Sequence, residues 1–368
     1  MSEQTAQEQK YLNASTRQLI WWRYKKHTLA IIGLWLILVL YLVAVFCEII
    51  SPYSTEKRHL SSIYAPPSHI RLFDDEGRLR RPFVRAVKLS FNLETQQRKY
   101  EEIPGTYHPI RLFVKGEPYF FWGMWETNLH LFGVAKPAHL FLFGTDRMGR
   151  DLFSRCLYGS RISLSIGMVG VFLSLLLGLV LGGFSGYLGG LVDGIIQRSI
   201  EIIRCFPSIP LWLGLAAAMP EHWPALKRYF AITIILSLIG WTDLARMARG
   251  KLMALREEDF VMAARFAGAG HARIIFRHLL PSFTSHIIVT ITLAIPSMIL
   301  AETALSFLGV GLRPPITSLG VLLKEAQSVT VVALFPWLLI PVLFVIAIVL
   351  AFNFVGDGLR DAVDPYSR

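Results

Sequence analysis

At 368 residues, 53% of them hydrophobic, with a mean hydropathy of +0.47, the chain is too apolar for an ordinary soluble domain. Lys and Arg outnumber Asp and Glu by 37 to 26, but the basic residues crowd beside apolar runs, which fits membrane-flanking loops on anionic lipid and argues against a nucleic-acid binder. Cys47, Cys156 and Cys205 show no metal-ligand spacing and read as packing residues.

A bilayer core needs about 20 consecutive, mostly apolar residues per helix. Residues 1–28 read as a cytoplasmic tail, because Arg17, Arg23, Lys25 and Lys26 gather at its membrane end. The first span follows at 29–50. It is too long for a cleaved leader, and Glu48-Ile49-Ile50-Ser51-Pro52 is a poor small-residue cleavage site. Residues 51–160 form an extracytoplasmic, aromatic-rich region with turns at Pro66-Pro67 and Pro104-Gly105. "HIRLFDDEG" and "HPIRLFVKG" alternate like short strands, which predicts a mostly irregular cap with a hairpin or two. The cap ends in an amphipathic helix at the membrane surface, N-capped by Asp151, with Arg155 and Arg161 off its apolar face.

Residues 161–357 hold the remaining spans. The runs 162–192 and 326–356 carry no charge, and the weaker ones are 205–220, 229–242 (continuing through Asp243) and 278–301. Six spans in all return the C-terminal tail, 358–368, to the cytoplasm. In the second span Gly178 and Gly182 make a GxxxG pair, suited to close helix approach in lipid. Pro207 and Pro210 break the third. Irregular backbone at membrane depth is tolerated only against protein or a water-filled cavity, so these two prolines are candidates for a translocation path. Glu302 is a third candidate, about 29 Å along its helix from Phe283 at 1.5 Å per residue and so near the outer face.

The cytoplasmic loop 250–282 contains "DFVMAARFAGAGHARIIFRHLLPS". Phe260, Ala263, Ala264 and Ala267 share one face of a short helix, Gly268 stops it, and His271 starts another. Ala263-Ala264, Gly268 and Leu280-Pro281 resemble the "EAA" loop of ABC importer permeases, with Met262 in place of the glutamate. The dipeptide/oligopeptide branch resembles it most. "FGTDRMGRDLFSRCLYGSRISLSIG" (143–167), "ETALSFLGVGLRPPITSLG" (302–320) and "FNFVGDGLRDAVDP" (352–365) are similar to that branch too. The resemblance implies an all-α, polytopic bacterial inner-membrane protein of six transmembrane helices with the type I ABC importer permease fold, carrying an extracytoplasmic insertion between helices 1 and 2. It implies a second permease subunit, two ABC ATPase subunits and an extracytoplasmic solute-binding protein as partners, in membrane lipid. It also implies that the loop couples to the ATPase through Glu257, Glu258, Asp259, Phe260, Ala263, Ala264, Gly268 and Gly270. The solute is then peptide-like, or alternatively a nickel chelate, opine or oligosaccharide. Tyr119, Trp122 and Trp125 of the cap are candidate contacts with the solute-binding protein.

No phosphate-binding loop is present: Gly250-Lys251 has Ala245 where the earlier glycine belongs, so no cofactor is expected on this chain, and ATP and Mg fall to the partner ATPases. "GFSG" (183–186) fits an intramembrane protease signature around Ser185, but His278 and His286 lie at the cytoplasmic start of the fifth span whereas Ser185 sits past the middle of the second, and in so glycine-rich a span chance accounts for the match. A secondary transporter would show repeats and intramembrane ionisable residues; here Asp193, Glu201, Asp243 and Glu302 are the few such groups, and Asp243 pairs most simply with Arg246 on its own helix.

Overall fold

The computed structural model describes residues 14–92, 97–220 and 222–364. The ends of both expected tails, including Pro365, lie outside them. The helices are α1 (Thr16–Lys26), α2 (Thr28–Val45), α3 (Cys47–Ile50), α4 (Leu152–Leu188), α5 (Gly190–Cys205), α6 (Ser208–Ala217), α7 (Ala225–Leu255), α8 (Asp259–Phe266), α9 (His271–Arg273), α10 (Leu280–Ser282), α11 (Thr284–Phe307), α12 (Leu319–Glu325), α13 (Val329–Leu334) and α14 (Ile340–Val363). Among the described residues five helical segments are long and apolar enough to cross a membrane, and there are six crossings if the bent pair α5–α6 is one span.

Several boundaries differ from those expected. The separate surface helix before the second span does not exist: Leu152–Leu188 is one helix of 37 residues. No proline interrupts it, and its arginines find partners, so they need no water. The last span does not begin at 326. Residues Val329–Leu334 form their own short helix, and the crossing segment is Pro336–Val363, running past Asp357. Cys47 and Cys156 are buried as expected, but Cys205 is exposed at the end of α5.

The chain divides into two compact units. One comprises Met1–Leu38, Ser165–Leu305 and Ile346–Arg368. Its organising feature is a glycine seam. A Cβ added at Gly178 would stand 3.1 Å from the Ala245 nitrogen, one at Gly182 would collide with the Ala245 backbone, and one at Gly186 would stand 2.6 Å from the Arg249 carbonyl. The helical period puts these three residues on one stripe, so α4 and α7 meet backbone to backbone. Ser237 Oγ donates to the Gly170 carbonyl (3.0 Å) across the same contact. Elsewhere in this unit Tyr24, Ala30 and Ala362 form a small core, and Tyr24 donates to the Ala30 carbonyl (3.0 Å).

The other unit comprises Val39–Leu164 and Ser306–Val345. Its insertion is more regular than expected, with three antiparallel sheets among the described residues. These are β1 (Arg71–Phe73), β2 (Leu79–Val84) and β5 (His108–Pro109) in the order β1-β2-β5, then the hairpins β3–β4 (Val87–Asn92, Gln97–Glu102) and β6–β7 (Arg111–Phe121, Trp125–Gly133). This unit also holds a buried ion cluster. Arg155, expected on a polar face, is fully buried: Nη1 bonds Asp146 Oδ2 (2.5 Å) and Glu325 Oε2 (2.7 Å), while Arg150 bonds Asp146 (2.7 Å) and Glu325 (2.9 Å). The cluster clamps the "GTDRMGR" loop onto α12. Burial alone raises the Glu325 carboxyl, but the bonds and charges of Arg155, Arg150 and Arg147 outweigh it, so its pKa lies below the usual value.

Candidate functional site

The loop after α7 holds together from within. Val261, Ile274, Ile275 and Leu279 are fully buried beside Leu252, Leu280, Phe283 and Ile287. Burying each such side chain is worth roughly 1.5–3 kcal/mol, enough to fix a helix of only eight residues that would not persist alone. Val261 is the anchor of α8. What remains outward is Glu257, Glu258, Asp259, Phe260, Ala263 and Gly268, all exposed, while Ala264 is half-buried against the core. Glu258 is the N-cap residue and Asp259 lies in the first turn, where the helix dipole favours acids.

Gly268 has φ +80° with open space around its Cβ position, so the backbone turn, not room, demands glycine. Gly270 precedes α9 at φ −69°, which any residue adopts. The second helix is not uniform: Ile274–Leu279 is a π-helical run. The wide turn falls immediately before Pro281, which has no N–H for the Arg277 carbonyl and whose ring would crowd it. One exposed residue escapes a search for alanine stripes. Phe266 is 86% exposed, the bulkiest outward group on α8. The available signal was an aromatic residue two positions before the stop glycine, with no apolar partner in the sequence pattern.

The second feature is the break in the third span. Helices α5 and α6 meet at 86° around Pro207. Pro207 is the N-cap residue of α6, and Pro210 sits in the first turn, where its missing N–H costs nothing. Pro207 is therefore the break and Pro210 is not. A cavity of about 660 Å³ opens here, walled by Phe206, Pro207, Trp212, Ser174, Ser297 and Thr290 among others. Across it Arg204 pairs with Asp243, in place of the expected Asp243–Arg246 pair. The indole N–H of Trp212 is buried with no hydrogen-bond partner among the described residues. Glu302 is fully buried and is not a wall of this cavity.

Ser185 of the GFSG stretch donates to Asp193 Oδ1 (2.5 Å) and accepts from Gln197 Nε2 (3.1 Å); Asp193 is in turn gripped by Arg249 at 2.6 Å through both oxygens. No histidine stands beside this serine among its bonded partners. The arrangement ties α4, α5 and α7 together and does not resemble a nucleophile with its base.

The chain thus carries a small exposed helix on an apolar base and, separately, a broken span that borders a cavity. Residues 178–368, more than half of the chain, match the family model for the binding-protein-dependent transport system inner membrane component. The chain belongs to this family. Residues 15–67 of this permease also match the N-terminal TM domain of oligopeptide transport permease C. The oligopeptide transport system permease protein OppC of Haemophilus influenzae is 37% identical over 262 residues, covering 70% of this chain and 82% of its own. The OppC of Bacillus subtilis is 37% identical over 243 residues (66% and 77%), and the dipeptide transport system permease protein DppC of that organism is 39% identical over 227 residues (61% and 69%). Among solved structures, a chain of the MetNI methionine ABC transporter in an inward-facing conformation is 18% identical with a TM-score of 0.44, covering 58% of this chain and 98% of that one. The permease is thus a multi-pass inner-membrane transport subunit and not an enzyme, of a kind that works in a complex with an ATPase.

Proposed function

We propose that this permease forms, with a second permease subunit, the transmembrane path of an importer for peptide-like solutes. Two ABC ATPase subunits drive it and an extracytoplasmic solute-binding protein supplies it. ATP and Mg bind to the ATPases. Both termini of the permease are cytoplasmic, in keeping with the basic residues Arg23, Lys25 and Lys26 at the end of α1.

The observation that carries this reading is the outward surface of α8. Its slender alanine face is flanked by Phe260 and Phe266 and led by Glu257, Glu258 and Asp259, on a base that Val261 makes rigid. Such a helix can be clasped by a partner and moved as a body, which is how closure of two ATPases would reach the membrane helices. Ala263, Ala264 and Gly268 let the partner approach, and Gly270 lets the chain turn away. The solute path runs past the Pro207 break and its cavity, with Pro210 beside it; Glu302, fully buried and off that cavity, does not line it. The relatives named for oligopeptide and dipeptide transport support a peptide cargo.

The test is to purify the complex with its co-purifying chains and to assay ATPase activity against a panel of di- and oligopeptides, nickel chelates, opines and oligosaccharides, each loaded on the binding protein. Stimulation by peptides is the expected result. Stimulation by another class moves the cargo, and a preparation with no ATPase chain refutes the reading.

A further inference from the structure

The β6–β7 hairpin carries an exposed apolar tip that the transport reading does not use. At the turn, Phe120 is 60% exposed, Trp122 47%, Met124 65% and Trp125 62%. Residues of this kind are rarely left together in water on a soluble cap. Their location along the first span decides what covers them. The Trp122 indole N–H donates to the carbonyl of Val45 (3.1 Å), the last residue of α2, and the Phe121 ring stacks on Phe46 with centroids 6.2 Å apart. Helix α2 has 18 uncharged residues, a rise of about 27 Å at 1.5 Å per residue, close to the roughly 30 Å hydrocarbon thickness of a bilayer. Val45 therefore marks the edge of the hydrocarbon, and the tip is held at that depth. Tryptophan prefers this level, with its ring in the acyl–headgroup boundary and its N–H bonded.

The tip is fixed there and does not merely drape. Arg161 stacks 4.1 Å over the Trp122 ring while pairing with Glu48 (2.5 Å). Higher on the hairpin, the His130 ring sits between the Ser51 carbonyl (2.6 Å from Nδ1) and the Glu117 carbonyl (3.0 Å from Nε2) and donates its N–H to one of them. Trp122 adopts φ +51°, a left-handed conformation unfavourable for a bulky side chain, which the carbonyl bond and the guanidinium hold in place. At the adjoining end of the span Val39, Leu42, Val45 and Phe46 are exposed as well. Glu126 is paired opposite Phe120, one residue beyond Trp125 on the returning strand.

We infer that the tip of the β6–β7 hairpin is a membrane anchor: Phe120, Trp122, Met124 and Trp125 enter the interfacial region of the leaflet at the Val45 end of the first span. The partner of this surface is lipid, not the solute-binding protein. The insertion is thereby fastened at two levels, by its covalent join to α2 and by this wedge.

The test uses the complete importer complex, reconstituted into phosphatidylethanolamine/phosphatidylglycerol vesicles, in a Cys205→Ser background. Nitroxide labels are placed singly at Met124→Cys and Trp125→Cys, with Lys115→Cys as reference. Lys115 lies six residues back from the turn, about 20 Å along the strand. At 124 and 125 relaxation by dissolved oxygen, relative to a water-soluble nickel chelate, should exceed the value at 115 severalfold. A ratio equal to that at 115 would mean a tip in water and would overturn the inference. Shielding from both relaxants, or protection that appears only on adding the solute-binding protein, would mean a protein partner and would overturn it as well. Two label sites guard against a local effect of either substitution.

Discussion

At the scale of single residues, two sites have consequences that follow from their contacts alone. Gly182 has no room for a methyl group against the Ala245 backbone, whereas Gly250, inside α7, has nothing within 4 Å of its Cβ position. Gly182→Ala should lower the melting temperature of the detergent-purified complex, at a cost of about 1–3 kcal/mol for overpacking. Gly250→Ala should raise it slightly, by roughly 0.5–1 kcal/mol, through the lower helix penalty. Equal shifts for the two would count against the seam. Glu325→Ala strips Arg155 and Arg150 of shared carboxylate oxygens and should cost about 3–5 kcal/mol, because a buried charge is left short of partners. Removing the exposed Arg78–Glu76 pair by Arg78→Ala should cost under about 1 kcal/mol. The two cases differ in legibility. The glycine stripe is visible in sequence because its spacing is local. The burial of Arg155 is not, because its partner Glu325 stands 170 residues away and an arginine on an amphipathic helix reads as solvated.

At the scale of elements, α8 invites a direct comparison. Phe266→Ser and Ala263→Asp change only outward surface, so the complex should assemble with normal thermal stability yet lose solute-stimulated ATPase activity. Val261→Ser empties the anchor and should instead destabilise by about 2–4 kcal/mol. Unchanged stimulation in Ala263→Asp would remove α8 from coupling. In the insertion, His59 packs among Tyr53, His139 and Phe141. Burial first, then the nearby His139 and Lys57, push its pKa down to about 4, and His139 is lowered by burial and by Lys57 and Lys136. Between about pH 6.5 and 4 the unfolded chain therefore binds the extra proton, so the stability His59 contributes is present above that window and lost as pH falls through it. Asp151 runs the other way, its carboxyl raised to about 6 chiefly by burial, and it is common to both proteins in a comparison of His59→Phe with the parent. The parent's melting temperature should fall toward or below that of His59→Phe as pH drops from 7 to 5; a constant gap would contradict it. The spans were readable because unbroken apolar runs have few alternatives in lipid. The strands were readable only in part: β1, β5 and the start of β6 fall on the two alternating runs, but β6 is exposed or half-exposed along its whole length and so lacks the one-sided burial that writes alternation into a sequence. The extent of α4 was missed for a related reason: interior arginines suggested a boundary where the fold supplied counter-ions.

At the scale of the whole molecule, the proposed division of labour, with hydrolysis on partner ATPases, makes a direct demand: uptake into vesicles loaded with ATP should persist after proton and sodium gradients are collapsed, and should stop when ATP is replaced by a non-hydrolysable analogue. Persistence of uptake without hydrolysis would assign the energy elsewhere. The glycine seam bears on how such a drive is felt. Helix α7 runs directly into the loop that carries α8, it lies bare against α4 at Gly178, Gly182 and Gly186, and Arg249 grips Asp193 of α5. At those three positions backbone stands against backbone, so side-chain rotation there offers little to absorb a shove. A displacement delivered from the cytoplasm would travel as the tilt of a stiff strut and be spent where the backbone is already broken, at Pro207, on the rim of the cavity.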